Sequence, residues 1–250
     1  MELSNQAGAV GKRWDFCASG YDGIVQEELQ SQAAVWQSIL LAQAPQKQGS
    51  LLDIGTGPGF FSILMAQAGW DVTGVDCSAA MVETAAENAK KAGVRARFLQ
   101  KDIHALDFPD HSFDYLVSRN VTWILYDPEK AFSEWRRVLK PGGRLLYFDA
   151  NWYYRRSEAE RQAIARDEEE YRKTYGPPVD TYSGDAATEA SFQETLFFHS
   201  HSRPEWDRTH LGPLGFTHIR ITPRLNEQVY TPPYKLLFRS IPLFMVQADV

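Results

Sequence analysis

LLDIGTGPGF, Leu51 to Phe60, is the stretch on which the fold turns. Leu51 to Ile54 predicts a β-strand that breaks at Gly55-Thr56-Gly57-Pro58-Gly59. Phe60 to Ala68 then predicts a helix, with Phe60, Phe61, Leu64 and Met65 on one side and Gly69 closing it. A glycine turn between strand and helix lets a ligand approach the backbone at the carboxyl end of a parallel sheet. The next strand, Asp71 to Val75, ends at Asp76, 21 residues after Gly55. An acidic residue there can accept hydrogen bonds from both ribose hydroxyls of an adenosine-containing ligand. Two residues narrow the ligand. Phe60 stands where a dinucleotide fingerprint needs a third glycine or alanine, and it is far too large. Asp53, two residues before the first glycine, would repel a pyrophosphate but attract a cation. S-adenosylmethionine carries an ammonium and a sulfonium and no phosphate, so it suits this turn better than NAD.

Working outward, short apolar runs alternate with helical patterns from Ser50 to Ala150, the pattern of βαβ units around a parallel sheet. Ser78 caps a helix that runs to about Ala92, and Asp127-Pro128-Glu129 opens another that runs through Leu139. Val94 to Leu99, Phe113 to Ser118 and Arg144 to Asp149 read as the third, fourth and fifth strands, with Lys140-Pro141-Gly142-Gly143 turning into the fifth. Residues 1–49 read as mostly helical, amphipathic from Ile24 to Leu41. Ser157 to Tyr175 reads as an acidic helix whose run Asp167 to Glu170 is a solvated face. After Pro204 come a short helix to Leu211 and two apolar runs, Phe216 to Ile221 and Ile241 to Val246, that finish the sheet. The expectation is an α/β domain: a Rossmann-like, seven-stranded, mostly parallel sheet with helices on both faces. Residues 1–49 form an N-terminal helical cap, 50–150 the cofactor-binding core, 151–203 a lid insertion after the fifth strand, and 204–250 the end of the sheet.

Composition sets the class of protein. The chain has 250 residues, 44% hydrophobic and 23% charged, with a net charge of −6, which excludes disordered and fibrous chains. The sequence holds no apolar run of membrane-spanning length and no secretory signal is expected. Its two cysteines, Cys17 and Cys77, are too sparse for a disulfide framework and fit a reducing, cytoplasmic setting. The acidic balance argues against a nucleic-acid partner.

Four ordered segments carry a family resemblance. LLDIGTGPGF is followed by VTGVDCSAAMV (Val72 to Val82), QKDIHALDFPDHSFDYLVSRN (Gln100 to Asn120) and RRVLKPGGRLLYFD (Arg136 to Asp149). Together they resemble the class I S-adenosylmethionine-dependent methyltransferases, in the type 11-like branch whose members mostly modify small molecules. The resemblance implies roles for particular residues. Gly55, Gly57 and Gly59 would line the methionine and ribose, with Asp53 near the ammonium. Asp76 would hold the ribose hydroxyls, and Asp76→Ala would then weaken cofactor binding while leaving fold stability nearly unchanged. Cys77 and Met81 would pack on the adenine, although Cys77 reads equally well as a small core residue. Asp102 would accept from the adenine amino group, the backbone of Ile103 would orient the ring, and Asn120 would border the methyl group. WDFCASGYD, Trp14 to Asp22, resembles the segment that folds over the cofactor in many relatives. Trp14 and Tyr21 either close the pocket or belong to a helix that only packs on the sheet.

Methyl transfer is an in-line displacement in which the protein chiefly aligns the reactants and excludes water. A base helps when the acceptor is a hydroxyl or a protonated amine. Tyr21, His199 and His201 are the candidates, a structural role being the bland reading of both histidines. Asp149 and Asn151 flank the end of the fifth strand, where some oxygen-methylating relatives bind a divalent metal. Arg119 and Asn120 stand where an acidic partner would be needed, so no metal is expected. The aromatics of residues 151–206, among them Trp152, Phe198 and Trp206, form either a small satellite core or an acceptor pocket. Arg155, Arg156 and Arg203 could there pair an acceptor carboxylate. The expected partner is a small-molecule methyl acceptor. An RNA or protein methyltransferase and a non-catalytic S-adenosylmethionine-binding module are the alternatives.

Overall fold

The structure, a computed structural model, describes residues 3–179 and 192–250. Seven strands form one sheet in the order β3-β2-β1-β4-β5-β7-β6. They are β1 (Ser50–Ile54), β2 (Asp71–Asp76), β3 (Arg97–Gln100), β4 (Phe113–Arg119), β5 (Leu139–Asp149), β6 (Thr217–Thr222) and β7 (Phe244–Asp249). β1 to β5 pair in parallel, while β7 runs antiparallel to both β5 and β6. The strand order turns back between β1 and β4, and in an open parallel sheet that crevice is where ligands bind.

Side chains alternate across a strand, so each strand feeds two cores. Leu52, Ile54, Leu116, Leu145 and Tyr147 face one cluster, completed by α6 (Pro128–Val138) through Phe132, Trp135 and Val138. Leu51, Tyr115, Val117, Leu146 and Phe148 face the other, completed by α3 (Ala33–Gln43) through Trp36 and Leu40 and by α4 (Phe60–Gln67). Helices therefore cover both faces, as expected. α6 starts where the sequence says it should, with the Asp127 carboxylate accepting from Lys130 N at 3.1 Å and Pro128 in the first turn. α5 (Ala79–Lys91) starts in the same way, Ser78 Oγ accepting from Met81 N. Two further helices, α1 (Leu3–Asp15) and α2 (Ala18–Ser31), precede α3 at the N-terminus. Among the described residues no helix is long and apolar enough to cross a membrane.

Several boundaries differ from the sequence reading. β3 begins at Arg97 and not at Val94, because α5 ends in a Schellman motif: Gly93 N donates to Lys90 O and Val94 N to Ala89 O. Val94 is thus spent closing the helix. β5 begins at Leu139, which pairs with Phe113, and the register then shifts so that Arg144 pairs with Tyr115. Lys140 to Gly143 is therefore a bulge inside the strand, held by Gly142 N donating to Val250 O and Val250 N to Gly143 O. β7 starts at Phe244 because Leu243 N is held by Asn226 Oδ1 at 2.7 Å.

α7 (Glu158–Tyr175) opens on a capping box of Ser157 and Glu160. Its acidic run is not wholly solvated: Asp167 is buried, and Arg239 Nε donates to its Oδ1 at 2.8 Å. Tyr175, the last residue of the helix, is 47% exposed.

Candidate functional site

A cavity of about 1000 Å³, its open mouth included, lies at the carboxyl ends of β1, β2 and β4. Trp14, Tyr21, Asp53, Gly55, Gly57, Asp76, Cys77, Met81, Asp102, Ile103 and Asn120 all line it. Residues from five separate stretches of sequence are thereby brought around one cavity. Gly55 sits there because nothing larger would: at φ 63° its backbone is left-handed, and a Cβ would lie 2.3 Å from Val121 Cγ2.

Gly59 is the exception among the glycines. It does not reach the cavity, and at φ 94° it caps α4 while a Cβ there would meet Ala85 Cβ of α5 at 3.2 Å. Its smallness serves helix packing and not ligand contact.

Three carboxylates define the cavity chemically. Asp53 is buried, and its Oδ2 accepts from Thr56 Oγ1 at 2.8 Å, Ser62 N at 3.0 Å and Ser62 Oγ at 2.8 Å. Burial pushes its carboxyl up to about 6, and those hydrogen bonds and the Arg119 guanidinium only partly oppose this. Asp76 is also buried and raised by desolvation against the pull of backbone amides. Its Oδ1 accepts from Ser78 N at 2.9 Å and its Oδ2 from Gly57 N at 3.0 Å. Asp76 thus braces the glycine turn as well as facing the cavity. The expectation that Asp76→Ala leaves stability untouched is corrected accordingly, since two backbone amides would lose their acceptor.

Asp102 follows β3. Its Oδ1 accepts from His104 N at 2.9 Å and lies 2.9 Å from His104 Nδ1, while its Oδ2 accepts from Tyr126 Oη at 2.8 Å. Desolvation opposes ionisation here, but these bonds outweigh it and hold the carboxyl down at about 2. Beside it, Ile103 O accepts from Trp135 Nε1 at 2.9 Å, while Ile103 N makes no hydrogen bond to any described residue. An acceptor and a free donor therefore stand next to each other on the cavity wall.

The N-terminal segment closes the other side. Trp14 meets Tyr21 edge-on at 5.3 Å and Trp123 at 6.1 Å. Cys77 contributes both to this wall and to packing, for its carbonyl lies against α1, where a Cβ on Gly11 would come within 2.7 Å. At the end of β4, Asn120 is held at φ 57° with its carbonyl accepting from Trp123 Nε1 at 2.8 Å and its Oδ1 buried without a partner.

Sequence reasoning missed several lining residues, chiefly Val10, His104, Arg119, Val121, Ile124 and Tyr126. His104 stands two residues from Asp102, a spacing that could have flagged it. Arg119 gave no local signal, because its partner is Glu28, far away on α2.

Other expected participants lie elsewhere. His199 and His201 do not line the cavity; their Nδ1 atoms lie 2.9 Å from Tyr153 O and 2.8 Å from Phe197 O. No described residue of 151–203 lines it either, and residues 180–191 of that expected lid lie outside the described residues. The described part of the segment divides: Phe198 joins the cluster of Phe132 and Tyr147, while Trp152, Tyr153, Phe192 and Leu196 pack with Trp123 and with Val10, Trp14 and Ile124, the last three of which line the cavity. Arg203 is not free to meet an acceptor, being buried with its Nε donating to Asp207 Oδ2 at 2.6 Å. Arg156 is turned onto the backbone carbonyls of Asn151 and Trp152. Asp149 spends both oxygens on Thr122, Trp123, Ala150 and Trp152 donors.

Comparisons with known proteins bear on the domain and its fold. Residues 52–147 match the model of a methyltransferase domain family. A demethylmenaquinone methyltransferase of Thermus thermophilus is 35% identical over 113 residues, which cover 44% of this chain and 50% of that protein. The chain thus spans about half the length of the curated relative. Among solved structures, the phosphoethanolamine N-methyltransferase 2 of Haemonchus contortus superposes with a TM-score of 0.59 at 20% identity, over 85% of this chain and 51% of that one. The PH0226 protein of Pyrococcus horikoshii gives 0.59 at 22% identity, over 89% and 91%.

Proposed function

We propose that this chain, whose residues 52–147 match a methyltransferase domain family, moves a methyl group from S-adenosylmethionine to a small-molecule acceptor. The observation that carries the reading is the meeting of Asp53, Asp76 and the Asp102–Ile103 pair on one cavity wall. Their chemistry matches the parts of that cofactor in order. Asp53 suits an ammonium, and Asp76 retains lone pairs for two ribose hydroxyls. Asp102 with the free Ile103 N–H matches the donor–acceptor edge of adenine. When bound, the cofactor supplies an electrophilic methyl group on a sulfonium.

The chain's own residues then orient and shield. Gly55 and Gly57 let the backbone come close, while Val121, Ile124, Trp14 and Tyr21 exclude water from the reacting end. Asn120 borders that end with an unpartnered amide oxygen, suited to a donor on the acceptor molecule. Of the three proton-handling candidates, only Tyr21 lines the cavity. The family relatives named for quinone and phosphoethanolamine chemistry support a small-molecule acceptor.

S-adenosylhomocysteine at 100 times its dissociation constant stabilises a folded chain by about 2.7 kcal/mol. For a domain this size the melting temperature should rise by roughly 5–10 °C, and NAD should give no rise. Labelled methyl donor, incubated with metabolite fractions, should then label a small molecule. A shift with NAD and none with S-adenosylhomocysteine ends the reading.

A further inference from the structure

We infer that His104 and Tyr126 are positioning residues that hold the Asp102 carboxylate as a ready-made reader of the purine 6-amino group. The inference rests on the cofactor reading above and adds to it the groups that determine base specificity.

A carboxylate on a loop can rotate about χ2 and turn its lone pairs away from a ligand. Asp102 is denied that freedom by three donors on two oxygens. His104 N and the His104 ring engage Oδ1 at 2.9 Å each, and Tyr126 Oη engages Oδ2 at 2.8 Å. The two aromatic partners are themselves locked together: their rings stack at 3.6 Å between centroids and 20° between planes. Tyr126 comes from the loop before α6 and His104 from the turn after β3, so the stack ties two loops across the cavity edge.

His104 is 4% exposed, and its Nε2 is buried without a partner. With Nε2 unprotonated, Nδ1 is the donor, and the ring serves Asp102. All three side chains line the same cavity. The carboxylate is therefore ionised and oriented before any ligand arrives, and an incoming amino group finds a fixed acceptor beside the Ile103 N–H. Preorganised charge-assisted hydrogen bonds discriminate strongly, because the site cannot relax around a ligand that lacks the donor.

The test compares S-adenosylhomocysteine with its 6-deamino analogue, which keeps the purine ring nitrogen N1 and loses only the amino group. Calorimetric titration of the whole chain should show wild type preferring the amino compound by about 10- to 100-fold, the value of one hydrogen bond to a charged group. Tyr126→Phe and His104→Ala should each shrink that preference about 3- to 10-fold, through weaker binding of the amino compound alone. His104→Asn, whose amide can still donate to Asp102, should restore most of it.

Variants that weaken both ligands equally would show a merely structural role and overturn the inference. So would a preference unchanged by Tyr126→Phe, the mildest substitution. Wild type that binds both ligands equally well overturns the inference and leaves the cofactor reading standing. Wild type that binds neither takes down both.

Discussion

Asp53 shows how one buried group sets stability against binding. Its carboxyl is lifted to about 6 because burial penalises the charge more than Thr56, Ser62 and Arg119 relieve it. An unfolded carboxyl titrates near about 4. Between these values the folded chain holds more protons than the unfolded one, so stability falls as pH rises through that window. The penalty is absent below about pH 4 and complete above pH 6, where a shift of this size amounts to roughly 2–3 kcal/mol. Asp53→Asn keeps an oxygen for the Thr56 and Ser62 donors but cannot ionise. Relative to wild type, the ligand-free variant should gain about 1–3 kcal/mol more at pH 8 than at pH 4.5 in urea unfolding. It should also bind S-adenosylhomocysteine more weakly at pH 8, because the ammonium loses its counter-charge. A variant-to-wild-type difference that is the same at both pH values would remove Asp53 from this role. Such a site gives up stability for a charge kept ready, a trade common in binding pockets.

At the scale of elements, the N-terminal helices are joined to the sheet by one buried ion pair. Arg119, last residue of β4, donates Nη1 to Glu28 Oε1 at 2.8 Å and Nη2 to Glu28 Oε2 at 2.6 Å. Its guanidinium also lies over Phe60 at 4.6 Å and Trp36 at 5.2 Å, so α2, α3 and α4 all converge on it. Removing one partner of such a pair strands a desolvated charge, at a cost of about 3–5 kcal/mol. Glu28→Ala should lose stability on that scale in chemical denaturation at pH 7, and adding Arg119→Met should recover most of it. Losses that simply add would show that the pair is not coupled. This pair also marks where sequence reading stops. The strand, the glycine turn, Asp53 and Asp76 belong to one βαβ stretch, and their spacing alone reports their purpose. Ser78 was legible as a cap, and Asp127 and Ser157 as helix starts, for the same local reason. Glu28 sits in QEELQ on a helix whose polar face looks solvated, and its partner is 91 residues away. No periodicity carries that distance. The aromatics at 192–206 meet a related limit: their density is legible, but whether each joins Phe132 and Tyr147 or Trp123 and Ile124 is set by contacts far away in the sequence.

Across the whole molecule, Arg203 and Asp207 fix one side of the sheet. Arg203 and Asp207 are both buried, and Tyr147 of β5 donates its hydroxyl to Asp207. Arg203 also donates Nη1 to Thr122 Oγ1 at 2.9 Å, and Thr122 in turn donates to Asp149 at the end of β5. The segment from Phe197 to Leu211 is thereby tied to the sheet through a charged network whose every member would be stranded if it lifted away. The opposite wall is built differently. α1 meets the cavity through Val10 and Trp14, apolar and aromatic contacts that can open while the Arg119–Glu28 pair keeps α2 on the sheet. Ligand entry should therefore occur by movement of α1, while α2 and the 197–211 segment stay in place. Hydrogen exchange with and without saturating S-adenosylhomocysteine separates the two sides. Amides in 8–28 and 101–126 should slow by about tenfold or more, since ligand contacts of about 1.4 kcal/mol or above suppress local opening to that extent. Amides in 197–211 should exchange at the same rate in both states. Protection concentrated in 197–211, with α1 unchanged, would place the moving cover in the segment after β5 and reverse this assignment.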